Sequence, residues 1–282
     1  MTDTRPRPGQ VDLANETVHW EQDLSYGQYL DLDTLLSCQQ RRSSEHDEML
    51  FIVIHQTSEL WIKLCLHEAH GAAAHIRDDN LRPAFKMLTR VARIQEQLIK
   101  AWEVLVTLTP SDYMSFRDSL GQSSGFQSYQ YRELEFLLGN KNAKMIDAHR
   151  GHPQHYDRLA QVLNEPSIYD ITLGLLKRRG FAIASDVTER DWALPYVASA
   201  EVEKAWATIY RDTASHWDLY ELAEKLLDLE YNFQKWRFSH MKTVERIIGY
   251  RRGTGGTAGV KYLVKALDLQ FFPELWSVRS SL

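Results

Sequence analysis

Cysteine is nearly absent from this chain of 282 residues, which contains only Cys38 and Cys65 and no Cys-x-x-Cys pair. A disulfide framework of the kind that holds small secreted domains together is therefore excluded. No apolar run reaches the ~18–20 residues that a membrane-spanning helix needs, and the chain starts with a polar segment. These absences favour a cytoplasmic protein without a membrane segment.

Glycine, proline and alternating β-branched runs are also scarce, whereas leucine, alanine, glutamate and glutamine are frequent. This composition predicts an all-α fold. The net charge is −5 and basic and acidic residues are interleaved, so we expect no nucleic-acid partner. Residues 1–25 have little periodicity, which predicts a mobile N-terminal tail followed by a single helical domain over residues 26–282.

A long amphipathic helix near the C-terminus carries one histidine in its apolar row. The row repeats at steps of three and four, the period of one helix face, through Leu222, Leu226, Leu229, Phe233, Trp236, His240, Val244 and Ile247. An unpaired polar group in such a row costs roughly 1–3 kcal/mol. The imidazole of His240 therefore either hydrogen-bonds a buried partner or binds a metal, and the residues alone leave both roles open.

A glycine-rich loop follows this helix, with five glycines between Gly249 and Gly259. Glycines end a helix and allow backbone amides to turn toward an anion. The pattern Gly253-x-Gly255-x-x-Ala258 formally matches a dinucleotide-binding fingerprint, but that fingerprint requires a preceding strand and here a helix precedes it. The loop is a candidate anion site, and a flexible surface connection is the alternative.

A second histidine follows an apolar run in the N-terminal half. The run from Met49 to Ile54 has an apolar arc wide enough to predict burial on most sides, and the polar stretch His55 to Glu59 then interrupts it. Phe51 and His55 share a helix face by their i, i+4 spacing. Buried polar groups are costly, so the polar stretch marks either a site or hydrogen bonds to neighbouring helices.

The stretch Thr109-Pro110-Ser111-Asp112 predicts the start of another helix, with a threonine cap, a proline at the first position and an acid in the first turn. Tyr113 and Arg117 then face the same way. A guanidinium beside a phenol suits a carboxylate ligand, although a surface arginine packed on a tyrosine has the same spacing.

The remaining segments give weaker signals. Helices are expected over residues 81–108, 127–138, 201–228 and 263–272, the third leading directly into the His240 helix and the last closed by Pro273. Six further histidines are expected at the surface or in solvated loops, namely His67, His70, His75, His149, His152 and His155.

Several long motifs resemble those of bacterial tryptophan 2,3-dioxygenases, and the resemblance extends from about Tyr26 to Arg279. They are Asp47-Glu48-Met49-Leu50-Phe51, His55-Gln56-Thr57-Ser58-Glu59-Leu60-Trp61, Tyr113-Met114-x-Phe116-Arg117, Ser123-Ser124-Gly125-Phe126-Gln127-Ser128, Phe136-Leu137-Leu138-Gly139-Asn140-Lys141-Asn142, Trp236-Arg237-Phe238-x-His240-Met241 and Arg252-Gly253-Thr254-Gly255-Gly256-x-x-Gly259-Val260. The resemblance is weakest from His149 to Ala200, and no function is assigned there.

The resemblance implies an all-α subunit that holds one haem b between long helices and assembles as a homotetramer. Its reaction would insert both atoms of O2 across the C2–C3 bond of the indole of L-tryptophan, giving N-formyl-L-kynurenine. His240 would be the axial ligand of the haem iron, and His55 the distal histidine that accepts a hydrogen bond from the indole N–H. Phe51 would pack on the indole, with Ser124 in a secondary role near the distal pocket.

The resemblance also assigns contacts to the amino-acid end of the substrate. Arg117 would pair with the carboxylate, helped by Tyr113, and Thr254 would contact the ammonium and carboxylate groups. The N-terminal segment of a neighbouring subunit would cover the pocket through Tyr26 and Tyr29.

Two rival hypotheses assign a different function to the same residues. A haem-based gas or redox sensor would use His240 without turnover, but a diatomic gas needs no carboxylate clamp such as Tyr113 and Arg117. A haem-free helical scaffold, in which both histidines are structural, would show no Soret band after haem supplementation.

Overall fold

The computed structural model describes residues 24–282, and within them all regular structure is helical, with no strand. The predicted all-α fold is confirmed. The tail expected over residues 1–25 lies almost wholly outside the described residues and stays a prediction. The chain divides into two compact units after residue 40.

The described part of the first unit consists of two short helices, α1 (Tyr26–Leu30) and α2 (Leu32–Ser37). Ser25 and Gln28 form a capping box at the start of α1, each side chain bonding the backbone N–H of the other residue. Asp31 separates the helices in a left-handed conformation with φ 49°. Neither helix has a buried residue, and the side chains of Tyr26 and Tyr29 are 75% and 74% exposed.

The second unit contains the remaining helices of the described residues. Its α-helices in chain order are α3 (Glu48–Arg77), α4 (Leu81–Leu105), α5 (Pro110–Phe116), α6 (Tyr129–Leu138), α7 (Pro153–Leu163), α8 (Ile168–Arg178), α9 (Ser185–Thr188), α10 (Ala200–Arg211), α11 (Trp217–Ile248), α12 (Val260–Leu267) and α13 (Pro273–Ser277). Short 3₁₀ turns lie at Arg117–Leu120, Gly125–Gln127, Ala143–His149 and Val278–Ser280.

Three long helices form the frame of this unit. α3 and α4 are neighbours because only residues 78–80 connect them, and α4 also packs along α11. The main core lies between these helices and the shorter α6, α8, α10 and α13. A second, smaller apolar cluster lies beside Trp102 at the end of α4 and includes Tyr113 and Phe116 of α5.

The local signals at several helix ends act as the sequence predicts. Thr109 and Asp112 form a capping box at the start of α5, with Pro110 at the first helical position. Gly139 ends α6 in a left-handed conformation with φ 119°. Arg117 and the segment 121–128 lie between these two ends, in the connection from α5 to α6.

Two predicted helix boundaries were wrong. Residues 201–228 do not run as one helix, because the carboxylate of Asp212 accepts the backbone N–H of Ser215 and forms a turn between α10 and α11. Pro273 does not close a helix over residues 263–272, since α12 ends at Leu267 and Pro273 occupies the first turn of α13. A proline is tolerated there because a first-turn N–H has no partner in the helix.

Two burial predictions were also wrong. The run from Met49 to Ile54 is not buried on most sides, because in this subunit the side chains of Met49 and Val53 are each 38% exposed and only Ile54 is buried. His149 is not solvated but 2% exposed at the end of a 3₁₀ turn, and His155 stacks on Tyr129 with ring centroids 3.9 Å apart.

Among the described residues α3 alone is long and apolar enough to span a membrane by length and composition. The core helix of a globular protein meets the same criterion. α3 packs against α4, α6 and α8 and carries the buried carboxylates of Glu48 and Glu68. α3 therefore packs against its neighbours along one face, while apolar side chains on its other face are exposed.

Candidate active site

Four segments of the second unit bring together most of the predicted site residues. α3 carries Phe51 and His55, α5 carries Tyr113, and Arg117 directly follows α5. α11 carries His240, and the glycine loop, residues 249–259, connects α11 to α12. The site therefore lies where the two long helices meet the short connections at the end of α4.

His240 packs against two indole rings that also contact each other. Its imidazole stacks on Trp102 with ring centroids 4.6 Å apart and an interplanar angle of 16°, and Trp236 lies 5.8 Å away. Burial, together with the nearby imidazole of His55, lowers the pKa of His240 to about 4. The ring is therefore neutral at physiological pH, and neither of its nitrogens makes a hydrogen bond to the described residues.

The tautomer of His55 is fixed by its own helix. Its Nδ1 lies 2.7 Å from the carbonyl oxygen of Phe51, and because a carbonyl only accepts, Nδ1 carries the proton. Burial lowers the pKa of His55, which favours the neutral form of the ring. Nε2 then has a lone pair that can accept one hydrogen bond, as an indole N–H would require.

Phe51 connects His55 to a cluster of aromatic rings. Phe51 lies 4.1 Å from His55, 5.9 Å from Tyr113 and 5.7 Å from Phe116, measured between ring centroids. Tyr113 and Phe116 are buried, whereas Phe51 is only partly buried. This wall offers a flat apolar ligand an aromatic surface beside one acceptor nitrogen.

Arg117 connects the aromatic wall to the glycine loop. Its Nη2 donates to the carbonyl oxygen of Arg252 at 3.0 Å, while its Nε is buried and has no acceptor among the described residues. Burial raises the pKa of Tyr113, and the adjacent guanidinium of Arg117 partly offsets that rise. A cation, a phenol and a spare N–H donor thus lie together, as a carboxylate ligand requires.

The glycine loop packs closely on the segment that follows Arg117. The hydroxyl of Thr254 donates to the carbonyl oxygen of Ser123. A Cβ atom on Gly255 would lie 2.6 Å from the Cβ of Ser124, so only glycine allows the two segments to approach this closely. Thr254 and Ser124 therefore lie close together where the two segments meet, and the glycine loop forms one side of the candidate site.

The structure adds two neighbours that the sequence analysis did not assign to the site. Trp236 lies one turn before His240 on α11, so its contact was readable from the spacing. Trp102 comes from α4, and no local pattern predicts that its ring covers His240. Tyr26 and Tyr29 belong to the other compact unit, so their expected role stays a prediction.

The residues present fit a haem better than a bare metal ion. No group of three or more potential metal-ligating side chains occurs among the described residues, so His240 is not part of a protein-ligated metal cluster there. A haem supplies four nitrogen ligands to its own iron, so it needs only a single neutral imidazole from the protein. The buried indole N–H groups of Trp102 and Trp236 also lack acceptors within the described chain.

Comparison with known proteins gives one consistent result. The family model described as tryptophan 2,3-dioxygenase matches residues 11–162 and 161–282. Tryptophan 2,3-dioxygenase 1 of Ralstonia nicotianae is 56% identical over 93% of this chain and 90% of its own length. The enzyme of Cupriavidus necator is 56% identical over 97% and 90%, and that of Bacillus cereus 55% identical over 93% and 94%.

Proposed function

Because this chain belongs to the tryptophan 2,3-dioxygenase family, we propose that the pocket between Phe51, His55, Arg117 and the glycine loop is where it oxidises L-tryptophan. The activity is that of a haem-dependent dioxygenase, which adds both atoms of O2 to the indole C2–C3 bond and yields N-formyl-L-kynurenine. This reaction is the first step of tryptophan degradation by the kynurenine pathway. Family membership favours the enzyme over the gas-sensor and scaffold hypotheses.

His240 is proposed as the axial ligand of a haem b, one per subunit. The observation that carries the proposal is its neutral imidazole, packed against Trp102 and Trp236 without a hydrogen bond to the described residues. When bound, the haem iron supplies the site that binds and activates O2. The stacked indole of Trp102 restricts the plane of the imidazole.

The aromatic wall is proposed to bind the indole. Phe51 packs on the ring and Nε2 of His55 accepts the indole N–H, because Nδ1 is already committed to the carbonyl of Phe51. An analogue without that N–H would leave a buried acceptor unpaired, which costs roughly 1–3 kcal/mol. Ser124 has a secondary role at the edge of this pocket.

The amino-acid end of tryptophan is proposed to lie between Arg117 and the glycine loop. Arg117 pairs with the carboxylate, assisted by the hydroxyl of Tyr113. Thr254 contacts the ammonium and carboxylate groups and exchanges its bond to Ser123 for them. Three groups of the substrate are thus recognised at once, which favours tryptophan over amines and acids that lack one of them.

A homotetramer is proposed, in which Tyr26 and Tyr29 of one subunit cover the pocket of another. Both phenol rings are about three-quarters exposed in the isolated subunit. α3 also carries an apolar stripe that is exposed among the described residues and comprises Met49, Val53, Leu60, Trp61 and Leu64. A cytoplasmic location is proposed from the low cysteine content.

A turnover assay tests the proposal. Purified, haem-loaded and reduced protein in aerated buffer is given L-tryptophan, and N-formylkynurenine formation and O2 consumption are followed together. We expect one O2 consumed per product formed. A haem spectrum that responds to O2 without any product would instead support the sensor hypothesis.

Subunit mixing tests the shared pocket. A variant with both Tyr26 and Tyr29 replaced by alanine and an Arg117→Leu variant are each expected to have low activity. Hybrid tetramers refolded from both contain some pockets with every native residue, so partial activity returns. A mixture no more active than its components would refute the contribution from a neighbouring subunit.

A further inference from the structure

α12, which follows the glycine loop, is weakly held by apolar contacts. Of its eight residues only Val260 is buried. The ring of Tyr262 makes one edge contact with Phe126, at 5.9 Å between centroids. Because apolar burial normally fixes a surface helix, something else must hold α12 and, with it, the far end of the loop.

Arg237 of α11 supplies that support. Its Nη1 donates to the carbonyl oxygens of Ala266 at 3.1 Å and Leu269 at 3.4 Å, where α12 ends. These are carbonyls that a helix cannot satisfy internally, and a cation there is also favoured by the helix dipole. The side chain is 4% exposed, so these bonds are shielded from competing water.

The segment after α12 is fixed by the same face of α11. Glu230, seven residues before Arg237, accepts the backbone N–H groups of Phe271 at 2.7 Å and Phe272 at 3.1 Å. The guanidinium of Arg237 also lies 5.2 Å from the ring centroid of Phe271. The backbone from residue 266 to 272 is therefore attached to α11 through charged side chains.

The charges around Arg237 make its replacement informative. Nη2 of Arg237 donates to Oε1 of Glu135 at 2.6 Å, while Arg132 bonds Oε2 of the same carboxylate. Two cations thus share one buried anion. Removing Arg237 leaves Arg132 paired with Glu135, while Glu230 keeps its two bonds from the backbone N–H groups of Phe271 and Phe272.

We infer that Arg237 is a positioning residue for substrate binding, which holds the end of α12 and thereby keeps Thr254 of the glycine loop at the pocket. The inference rests on the proposed role of Thr254. The loop connects the end of α11 to the start of α12. Arg237 belongs to α11 and holds α12 in place. Both carbonyl contacts lie at the end of α12, on residues outside the proposed pocket.

The test compares Arg237→Met with Arg237→Lys in the haem-loaded enzyme. Loss of two charge-assisted bonds to carbonyls is expected to raise the KM for tryptophan about tenfold in Arg237→Met, with kcat changed less than about twofold. Arg237→Lys keeps the charge and one donor direction, so it should recover part of the KM. The Soret band and the haem content should equal those of the unchanged enzyme.

A second readout does not depend on turnover. Arg251 and Arg252 in the glycine loop are exposed, so trypsin cleavage after them reports how firmly the loop is held. We expect cleavage there to be about tenfold faster in Arg237→Met. Tryptophan should protect both proteins from cleavage, but it should protect the variant less than the unchanged enzyme. Because this measurement needs no reaction product, it still tests the loop if the unchanged enzyme lacks turnover, which would refute the proposed function instead.

Arg279→Met is the matched control. Arg279 also donates to a helix-end carbonyl, that of Leu275 at 2.6 Å, and pairs with Glu224, but it contacts α13 rather than the loop support. It should leave KM and loop cleavage unchanged. Unchanged KM and cleavage in Arg237→Met would overturn the inference, as would a variant that lost haem and thermal stability together with activity.

Discussion

Arg117 gives the sharpest prediction about substrate recognition. A guanidinium can bind a carboxylate through two parallel charge-assisted hydrogen bonds, each with a contribution of about 1.5–3 kcal/mol. With the lower value for each bond, Arg117→Leu loses about 3 kcal/mol of transition-state binding, or about 150-fold in kcat/KM. Arg117→Lys keeps one bond and should lose only about tenfold. The spare, buried Nε of Arg117 is the structural basis for the second bond.

The assay compares L-tryptophan with tryptamine, which lacks the carboxylate. If Arg117 binds that group, Arg117→Leu should reduce kcat/KM for tryptophan about 150-fold and leave the much lower value for tryptamine nearly unchanged. Arg251→Leu removes a cation from the neighbouring glycine loop. Among the described residues the guanidinium of Arg251 donates only to the sulfur of Met114, so this variant should affect both substrates little. Equal losses for tryptophan and tryptamine in Arg117→Leu would refute the carboxylate assignment.

Three further predictions follow from individual contacts. His240→Gly should purify with little haem, and added imidazole should restore haem binding and the Soret band; wild-type haem content without imidazole would contradict the ligand assignment. Gly259→Ala should raise KM for tryptophan about tenfold, since Gly259 has φ 60° and the new Cβ would lie 2.5 Å from the carbonyl oxygen of Arg251, whereas Gly256→Ala, with φ 80° but open space, should have a smaller effect on the same steady-state measurement. Burial alone would raise the pKa of Glu133, but hydrogen bonds from His70 and Arg158 outweigh it and lower the pKa. That stabilisation is present above the unfolded pKa of about 4.5 and is lost as pH falls through the lower folded value. Thermal unfolding midpoints between pH 5.5 and pH 3 should therefore fall more steeply for the unchanged protein than for Glu133→Gln, and parallel curves would contradict this.

The sequence predicts much of the fold because its signals are local. Thr109 and Asp112 close a capping box through atoms only three residues apart, and Gly139 ends α6 by its own backbone conformation. The apolar row through His240 likewise requires no knowledge of its neighbours beyond the helical period. Errors occur where a side chain overrides the pattern, as when Asp212 turns the chain before α11.

The candidate site is only partly local, so only part of it could be predicted. The pairing of Phe51 with His55 follows from their spacing on α3. The contact of Trp102 with His240, and that of Arg117 with the carbonyl of Arg252, join segments distant in sequence, and no periodicity encodes them. The assignment of iron, oxygen and tryptophan came from the family resemblance and not from the spacing of these residues.

The two hydrogen bonds that close the glycine loop against its opposite wall have a consequence for which ligands can enter. Arg117 donates to the carbonyl of Arg252, and Thr254 donates to that of Ser123, so two of the pocket's donors have acceptors before any ligand arrives. A ligand that takes the place of these carbonyls must therefore be a better hydrogen-bond acceptor than an amide carbonyl. A carboxylate meets that condition because bonds to an ionised acceptor are roughly twice as strong as neutral ones. An ester or amide of tryptophan would merely exchange one carbonyl for another, so we expect competition from these two internal bonds, rather than a steric barrier, to disfavour its binding.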